Sequence, residues 1–232
     1  MIKLLLIEDD VNLGYIMKSV LEDVIGGYEV DIALNGKQGI ERFQAFAPDV
    51  IVSDIEMPVM NGYEMVKKIR QTNLDIPVIL ATGKTSPKDV TAGYEIGTDY
   101  YIKKPYTPEE LNAHIKSLIN LKENTKSRVK NASYQIGKYT LEPKSSTLIY
   151  NDLEKRLLTI RESQILETLF QHKGEIVKRE NIIKTFWDDK IDIFYASRSL
   201  DVFITKLRNY LSKDTSISIR NVKPIGLILE VV

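Results

Sequence analysis

Five side chains in the first half of the chain stand where chemistry is easily assembled. Glu8 and Asp9 follow the apolar run Ile2–Ile7, Asp54 follows Val50–Ser53, Thr82 follows Val78–Ala81, and Lys104 comes after Tyr100–Ile102. Each run is short and rich in β-branched or aromatic residues, the composition of a strand buried on both faces. In an open α/β sheet ligands bind at the carboxyl ends of the strands, so these side chains converge if the runs lie side by side. Three carboxylates brought together repel and raise one another's pKa unless a cation joins them. An all-oxygen donor set with positions left for water suits Mg²⁺. Beside such an ion a carboxylate is a candidate nucleophile for phosphoryl transfer, giving an acyl phosphate. Positioning and charge neutralisation are most of what that reaction asks of a protein. In this reading Asp54 is the nucleophile, Asp9 and Asp54 hold Mg²⁺, and the Lys104 ammonium and Thr82 hydroxyl contact the outer oxygens of the phosphoryl group. Asp10 reads as an ordinary helix cap, and on these grounds alone Lys103 competes with Lys104.

The elements that must position these residues alternate along residues 1–121. Between the five strands lie helical patterns, the clearest being Leu13, Ile16, Met17, Val20, Leu21 and Val24 at a period of 3.6. Thr107-Pro108-Glu109-Glu110 offers an N-cap, a proline at the first helical position and an acid placed to close a capping box, and Leu111, Ile115 and Leu118 continue one apolar face. Five strands alternating with five helices predict an α/β fold with a doubly wound parallel five-stranded sheet. From residue 122 to 133 the chain turns polar, with almost nothing to bury, and reads as a helix end running into a linker.

Residues 134–232 read as an α+β domain of a different kind. Strands Tyr134–Ile136, Tyr139–Glu142, Thr147–Tyr150 and Lys155–Leu158 precede a capping box at Thr159-Ile160-Arg161-Glu162, helices at Arg179–Trp187 and Ala196–Leu211, and a terminal hairpin of Ser216–Arg220 and Leu227–Val231. A small sheet, three helices and a hairpin form the winged-helix order.

The 232 residues carry 43% hydrophobic and 28% charged side chains, a composition of globular domains rather than of a disordered tail. Zero cysteines exclude a disulfide framework and a thiolate metal site. The run Leu4–Ile7 is too short for a signal-peptide core, and no apolar stretch approaches the ~18 residues of a membrane span, so the chain reads as cytoplasmic, with no membrane partner. A formal net charge of zero hides an asymmetry: residues 1–121 hold 12 Lys and Arg against 18 Asp and Glu, whereas residues 122–232 hold 20 against 14. An acidic half joined to a basic half directs only the second toward a polyanion.

The third helix of the basic half fits that partner. Leu200, Phe203, Ile204, Leu207 and Leu211 form its core side, and Arg198, Val202, Thr205 and Asn209, flanked by Lys206 and Arg208, form the other. Such a face suits the major groove: Val202 against a thymine methyl, Thr205, Lys206 or Asn209 on base edges, Arg198 and Arg208 on phosphate.

Two resemblances sharpen these readings. Leu4-Leu5-Leu6-Ile7-Glu8-Asp9-Asp10, Ser53-Asp54-Ile55-Glu56-Met57-Pro58 through Gly62, Leu80-Ala81-Thr82-Gly83 and Tyr101-Ile102-Lys103-Lys104-Pro105 resemble the flavodoxin-like receiver domains of two-component response regulators. That resemblance implies Glu8 and Asp9 in the Mg²⁺ pocket, Asp54 as phosphoacceptor, the main-chain carbonyl of Glu56 as a further metal ligand and Thr82 as switch hydroxyl. It also implies Lys104, the lysine abutting Pro105, as phosphate contact, a cis peptide before Pro105, and Tyr101 as switch aromatic, although an aromatic in a strand is as often core. A Glu56–Lys84 pair that screens the site is a further expectation; an exposed pair contributing little is the plainer alternative.

Leu158–Glu162, the Arg179–Trp187 helix, Ser197–Val202 with Lys206-Leu207-Arg208, and Val222–Gly226 resemble the effector domain of OmpR/PhoB-type transcription factors. This implies that Ala196–Leu211 is a recognition helix and that Arg220–Leu229 is a wing entering a minor groove. The implied partners are a sensor histidine kinase, double-stranded promoter DNA, RNA polymerase and a second copy of the chain joined through the receiver. Departures from the family pattern are specific. Arg220 and Lys223 are the wing cations that remain, and the charge pairs of the family dimer face become Val90 with Glu110, Tyr100 with His114 and Ile96 with Leu121, a more apolar face. The function expected is a phosphorylation-controlled transcription factor rather than an enzyme. Its alternatives are a DNA-binding regulator independent of phosphorylation and an aspartate-nucleophile phosphatase, for which Glu56 is the one candidate second acid and no substrate cap is visible.

Overall fold

The structure is a computed structural model that describes residues 1–83, 93–127, 133–187 and 193–231. The chain divides into two compact units, Met1–Lys122 and Glu123–Val232.

In the first unit, β1 (Ile2–Ile7), β2 (Tyr28–Ala33), β3 (Val50–Asp54), β4 (Val78–Thr82) and β5 (Tyr100–Lys103) form one parallel sheet in the order β2-β1-β3-β4-β5. Among the described residues, the helices seen over their full length are α1 (Val11–Ser19), α2 (Gly36–Phe46), α3 (Gly62–Thr72) and α4 (Pro108–Ser127). Leu4, Leu5, Leu6 and Ile7 are all buried, as are Val50, Ile51 and Val52, because helices cover both faces of the sheet. Leu5, Ile7, Ile51, Val78 and Leu80 join Met65, Val66 and Ile69 of α3 in a core beneath the carboxyl ends of the strands. That core holds Asp54 and Thr82, the last residues of their strands, in fixed register: Asp54 lies beside Ala81 and Thr82 beside Lys103.

The first helix departs from the expected face. Met17 and Leu21 are buried, yet Ile16 and Val24 are exposed. Gly14 is the reason: a Cβ there would already touch Ile32 Cγ2 at 3.4 Å, so the helix lies close to β2 on its Gly14–Met17–Leu21 side. A π-helical turn at Val20–Ile25 then shifts the phase of the apolar residues that follow. The α4 helix carries on to Ser127, through the first residues of the stretch that reads as linker from sequence. Among the described residues no helix is long and apolar enough to cross a membrane.

The second unit opens with an antiparallel sheet, β6 (Tyr134–Ile136), β7 (Tyr139–Glu142), β8 (Thr147–Tyr150) and β9 (Glu154–Leu157). Helices α5 (Ile160–Gln171), α6 (Arg179–Phe186) and α7 (Ile193–Leu211) follow. The chain ends in a three-stranded sheet of β10 (Ile176–Lys178), β11 (Ile217–Val222) and β12 (Gly226–Val231), in the order β10-β12-β11. Thr159 and Glu162 form the capping box expected of them. Leu200, Phe203, Ile204, Leu207 and Leu211 of α7 are buried together with Leu166 and Leu169 of α5. This is a winged-helix architecture, with β10 as a strand the sequence does not announce.

Candidate functional site

The first unit gathers its acids where the strands end. Oxygen atoms of Glu8, Asp9 and Asp54 lie within 4.8 Å of one another. Asp10 stays outside and caps α1, accepting from the main-chain N–H groups of Asn12 at 2.9 Å and Leu13 at 3.1 Å. Lys104 enters the cluster and donates from Nζ to Asp54 Oδ2 at 2.6 Å and to Glu8 Oε2 at 2.8 Å. Of the two lysines it is Lys104 that meets the acids, half-buried, while Lys103 is exposed. The Lys104–Pro105 peptide is cis.

Electrostatics follow from this packing. Burial pushes the Glu8 carboxyl above its ordinary value, opposed by the hydrogen bond and charge of Lys104. Burial acts to lower the Lys104 pKa, but its bonds to Asp54 and Glu8 outweigh it and hold the ammonium up at about 12. Three carboxylates therefore face one fixed cation, and the imbalance calls for a second. An all-oxygen cluster of this span, beside an open cavity, fits a hard divalent ion that keeps waters.

A cavity of about 500 Å³ opens beside the acids, lined by Asp9, Ile55, Glu56, Met57, Pro58, Asn61, Tyr63 and Thr82. Thr82 is buried and turned to this space. The loop that carries Glu56 is held over Asp54: the Glu56 N–H donates to Asp54 Oδ1 at 3.1 Å, and the Gly62 N–H donates to Ile55 O at 3.0 Å. A Cβ at Gly62 would sit 2.3 Å from Asp54 O, so only glycine lets the loop close this tightly. Lys84 lies outside the described residues, and with it the expected Glu56–Lys84 pair. Tyr106, which sequence reasoning passed over, stands close enough to sense the charges of Lys104, Glu8 and Asp54, and burial pushes its hydroxyl up to about 12. Its one signal in the sequence is its place directly after Pro105.

Tyr101 lies beside Tyr94, ring centroids 5.1 Å apart, and packs on the core under Asp54. Tyr100 and His114 are both buried and stack on each other at 4.3 Å, so the pair that the resemblance assigns to the dimer face is turned into its own unit. The Glu110 carboxylate accepts from the Thr107 N–H at 3.0 Å and closes the capping box of α4. Val90 lies outside the described residues.

On α7 the residues expected to face DNA separate into two groups. Arg198, Thr205 and Asn209 are exposed. Val202 is only 8% exposed and is not available to a thymine methyl. Lys206 donates to Glu162 Oε1 at 2.9 Å and turns away from the exposed stripe. Arg208 donates from Nε to Ile219 O at 2.9 Å and from Nη2 to Asn221 Oδ1 at 3.0 Å, tying the helix to the wing. In the wing, Lys223 is exposed and Arg220 is bonded to Glu230 through two guanidinium nitrogens. Arg179 is a contact the sequence did not reveal: its Nη2 holds Ser197 O at 3.0 Å and Asp201 Oδ1 at 2.8 Å, fixing α6 to α7.

A carboxylate cluster with one lysine at the carboxyl edge of a β2-β1-β3-β4-β5 sheet, joined to a winged helix, defines a class, and comparison with known proteins agrees. The family model for the response regulator receiver domain matches residues 4–116, and that for the transcriptional regulatory protein C terminal matches residues 154–229. The chain is 36% identical over 225 residues to the transcriptional regulatory protein RprY of Bacteroides fragilis, covering 97% of this chain and 93% of the relative. It is 29% identical to the alkaline phosphatase synthesis transcriptional regulatory protein PhoP of Bacillus subtilis, covering 98% and 96%. The crystal structure of the response regulator DrrB, a Thermotoga maritima OmpR/PhoB homologue, aligns over 99% of both chains with 27% identity and a TM-score of 0.50. The chain belongs to the OmpR/PhoB family of two-component response regulators, transcriptional regulators that join a receiver to a DNA-binding domain.

Proposed function

We propose that this protein is switched by phosphorylation of Asp54, with a sensor histidine kinase as donor, and that the phosphorylated receiver dimerises and brings paired α7 helices onto promoter DNA, where the bound dimer engages RNA polymerase. The single observation that carries this reading is the placement of the Lys104 ammonium between Asp54 and Glu8, in the acid cluster whose third member, Asp9, lines the cavity. One Asp54 carboxylate oxygen attacks phosphorus, the P–N bond of the donor phosphohistidine breaks, and the imidazole leaves with its electron pair. Lys104 already contacts the carboxylate that receives the group and needs only a small shift to neutralise the oxygens that arrive with it. Thr82 supplies a hydroxyl from the cavity lining, and Glu56 aligns the acceptor through its main-chain N–H. Glu8, Asp9, Asp54 and the main-chain carbonyl of Glu56 would hold Mg²⁺, which supplies charge neutralisation at the transferring phosphoryl group. Tyr101, packed on the core beneath Asp54, is the aromatic that would carry the change toward the dimer face.

Incubation with a small phosphodonor and Mg²⁺ tests the reading: the intact mass should rise by one phosphoryl group, and Asp54→Asn should abolish the rise. An unlabelled wild-type chain would remove the switch. DNA affinity measured with and without beryllofluoride then separates a phosphorylation-controlled regulator, whose affinity rises, from one indifferent to phosphate. Turnover of phosphate esters would instead favour the phosphatase reading.

A further inference from the structure

Glu162 is one of the most enclosed carboxylates in the effector unit, 3% exposed at the N-terminus of α5. Oε2 accepts from its own N-cap, the Thr159 N–H, at 3.0 Å, and Oε1 accepts from Lys206 Nζ at 2.9 Å and from the Tyr210 hydroxyl at 3.2 Å. Lys206 and Tyr210 are one helical turn apart, so both reach the same oxygen from one face of α7. The guanidinium of Arg156, from β9, covers the Tyr210 ring at 4.5 Å. Burial and the neighbouring Glu162 raise the Tyr210 pKa, so the phenol keeps the proton it donates. Strand β9, the cap of α5, and α7 thus meet at one buried charge.

We infer that Lys206 is a positioning residue: its bond to Glu162, with that of Tyr210, sets the roll of α7 about its axis and thereby decides which side chains face the groove. The inference rests on the reading of α7 as the recognition helix. Arg198, Thr205 and Asn209 recur at spacings of seven and four and so share one stripe. The Glu162 grip lies about a quarter to a third of a turn round from that stripe, at 100° per residue. A roll of roughly 20° would carry side-chain tips, at a radius of about 5–6 Å, by about 2 Å. Hydrogen bonds to base edges do not survive such a shift, whereas contacts to phosphate re-form along the backbone. Without Lys206 the contact that fixes the roll is gone and α7 turns about its axis, whether or not a charge remains at Glu162. A lysine that reads as a DNA contact on a helical wheel therefore acts through geometry.

The test uses the full chain and two duplexes of equal length, one enriched from a random-sequence pool by the wild-type protein and one of mixed sequence. Lys206→Met should lower affinity for the enriched duplex about tenfold or more, leave affinity for the mixed duplex unchanged, and keep the slope of log affinity against log salt. Lys206→Arg, which restores the charge and a donor to Glu162, should recover most of the discrimination. A fall in slope of about one with equal weakening on both duplexes would make Lys206 a phosphate contact and overturn the inference. Unchanged discrimination would overturn it too. If Lys206→Met does not fold, Glu162→Gln/Lys206→Met, which leaves no buried charge unpaired, is measured in its place with the same expectation. Failure of the recognition-helix reading looks different: the wild-type chain then enriches no duplex, while a double-mutant cycle on thermal unfolding still registers the Glu162–Lys206 coupling.

Discussion

A Cβ atom built on Gly93 would lie 1.2 Å from the Tyr101 hydroxyl oxygen and 2.3 Å from its ring carbon Cζ, so the tyrosine occupies the space of a side chain that residue 93 does not have. A phenol ring cannot bend out of the way as a lysine tip can, and it must rotate as a whole. Gly93→Ala should therefore cost about 1–3 kcal/mol by overpacking. In a Tyr101→Ala background, where the ring is gone, the same substitution should cost little. Chemical denaturation of the four chains gives the cycle, and additivity would show that the two residues do not compete for space.

The acid cluster predicts a metal-dependent stability. Glu8, Asp9 and Asp54 crowd together with Lys104 as their one neutralising contact among the described residues. Mg²⁺ bound to the folded state alone should raise its stability by about 1.4 kcal/mol at ten times Kd, following mass action. Asp9→Asn removes a ligand without touching Lys104, and should flatten the dependence of melting temperature on Mg²⁺. Equal shifts for both chains would place the ion elsewhere.

The proposed receiver dimer should show little salt sensitivity. Tyr100 and His114 pack against each other inside the unit, and Glu110 is engaged with Thr107 in a helix cap, so three of the positions expected to pair by charge across protomers serve their own fold. Screening acts on exposed charge pairs and leaves buried apolar contact nearly untouched. With beryllofluoride present, the dimerisation constant should change by less than about threefold between low and high salt. A change of tenfold or more, read by analytical ultracentrifugation, would restore a charge-paired face.

What the sequence made legible and what it hid divide on physical lines. Ile2–Ile7, Tyr28–Ala33 and the three strands Tyr134–Ile136, Tyr139–Glu142 and Thr147–Tyr150 appear with the bounds expected, because each is a short β-rich run closed by turn residues. Asp54, Thr82 and Lys104 converge because strand ends in a parallel sheet must. Strand β10 is hidden because Ile176–Lys178 runs straight into the helix that begins at Arg179, with no turn residue to close it. The roles of Lys206, Arg208 and Val202 were hidden for a different reason. A helical wheel tells which side a residue is on, but not that Glu162, forty-four residues away, claims one cation, or that Ile219 and Asn221 claim another.

Acid should weaken the effector unit through Asp214. Its Oδ1 accepts from the Ser216 hydroxyl at 2.7 Å and the Ser216 N–H at 3.1 Å, and its Oδ2 from the Lys138 N–H at 2.8 Å. These bonds, the Ser216 hydroxyl first, hold the carboxyl below its ordinary value of 3.8. A carboxyl depressed in the folded state contributes stability that is fully present above the unfolded pKa and is lost as pH falls through the folded one. Unfolding of the effector unit, followed through Trp187, the sole tryptophan of the chain, should thus grow easier as pH drops below about 4. Asp214→Asn should be less stable at neutral pH and show a flatter acid limb. A wild-type limb no steeper than that of the variant would remove Asp214 as the cause.

If the wing meets DNA as proposed, Glu230 should limit how much charge Arg220 can offer it. The two face each other diagonally across the hairpin, Arg220 opposite Ile228 and Glu230 opposite Ser218, and the guanidinium meets the carboxylate with two nitrogens. Each holds the other's charged form, the Arg220 pKa raised and that of Glu230 lowered. An exposed pair of this kind adds little to stability, so breaking it should leave the fold intact. Its effect on binding is larger, because a guanidinium already neutralised releases no counterion from DNA. Glu230→Gln should therefore raise affinity for duplex DNA and steepen the salt slope, by up to about 0.9 for the one phosphate that Arg220 can newly neutralise. Arg220→Ala in the Glu230→Gln chain should return both to the wild-type level. If Glu230→Gln changes neither affinity nor slope, the wing does not reach the DNA through Arg220, and Lys223 at its exposed tip becomes the cation to test next.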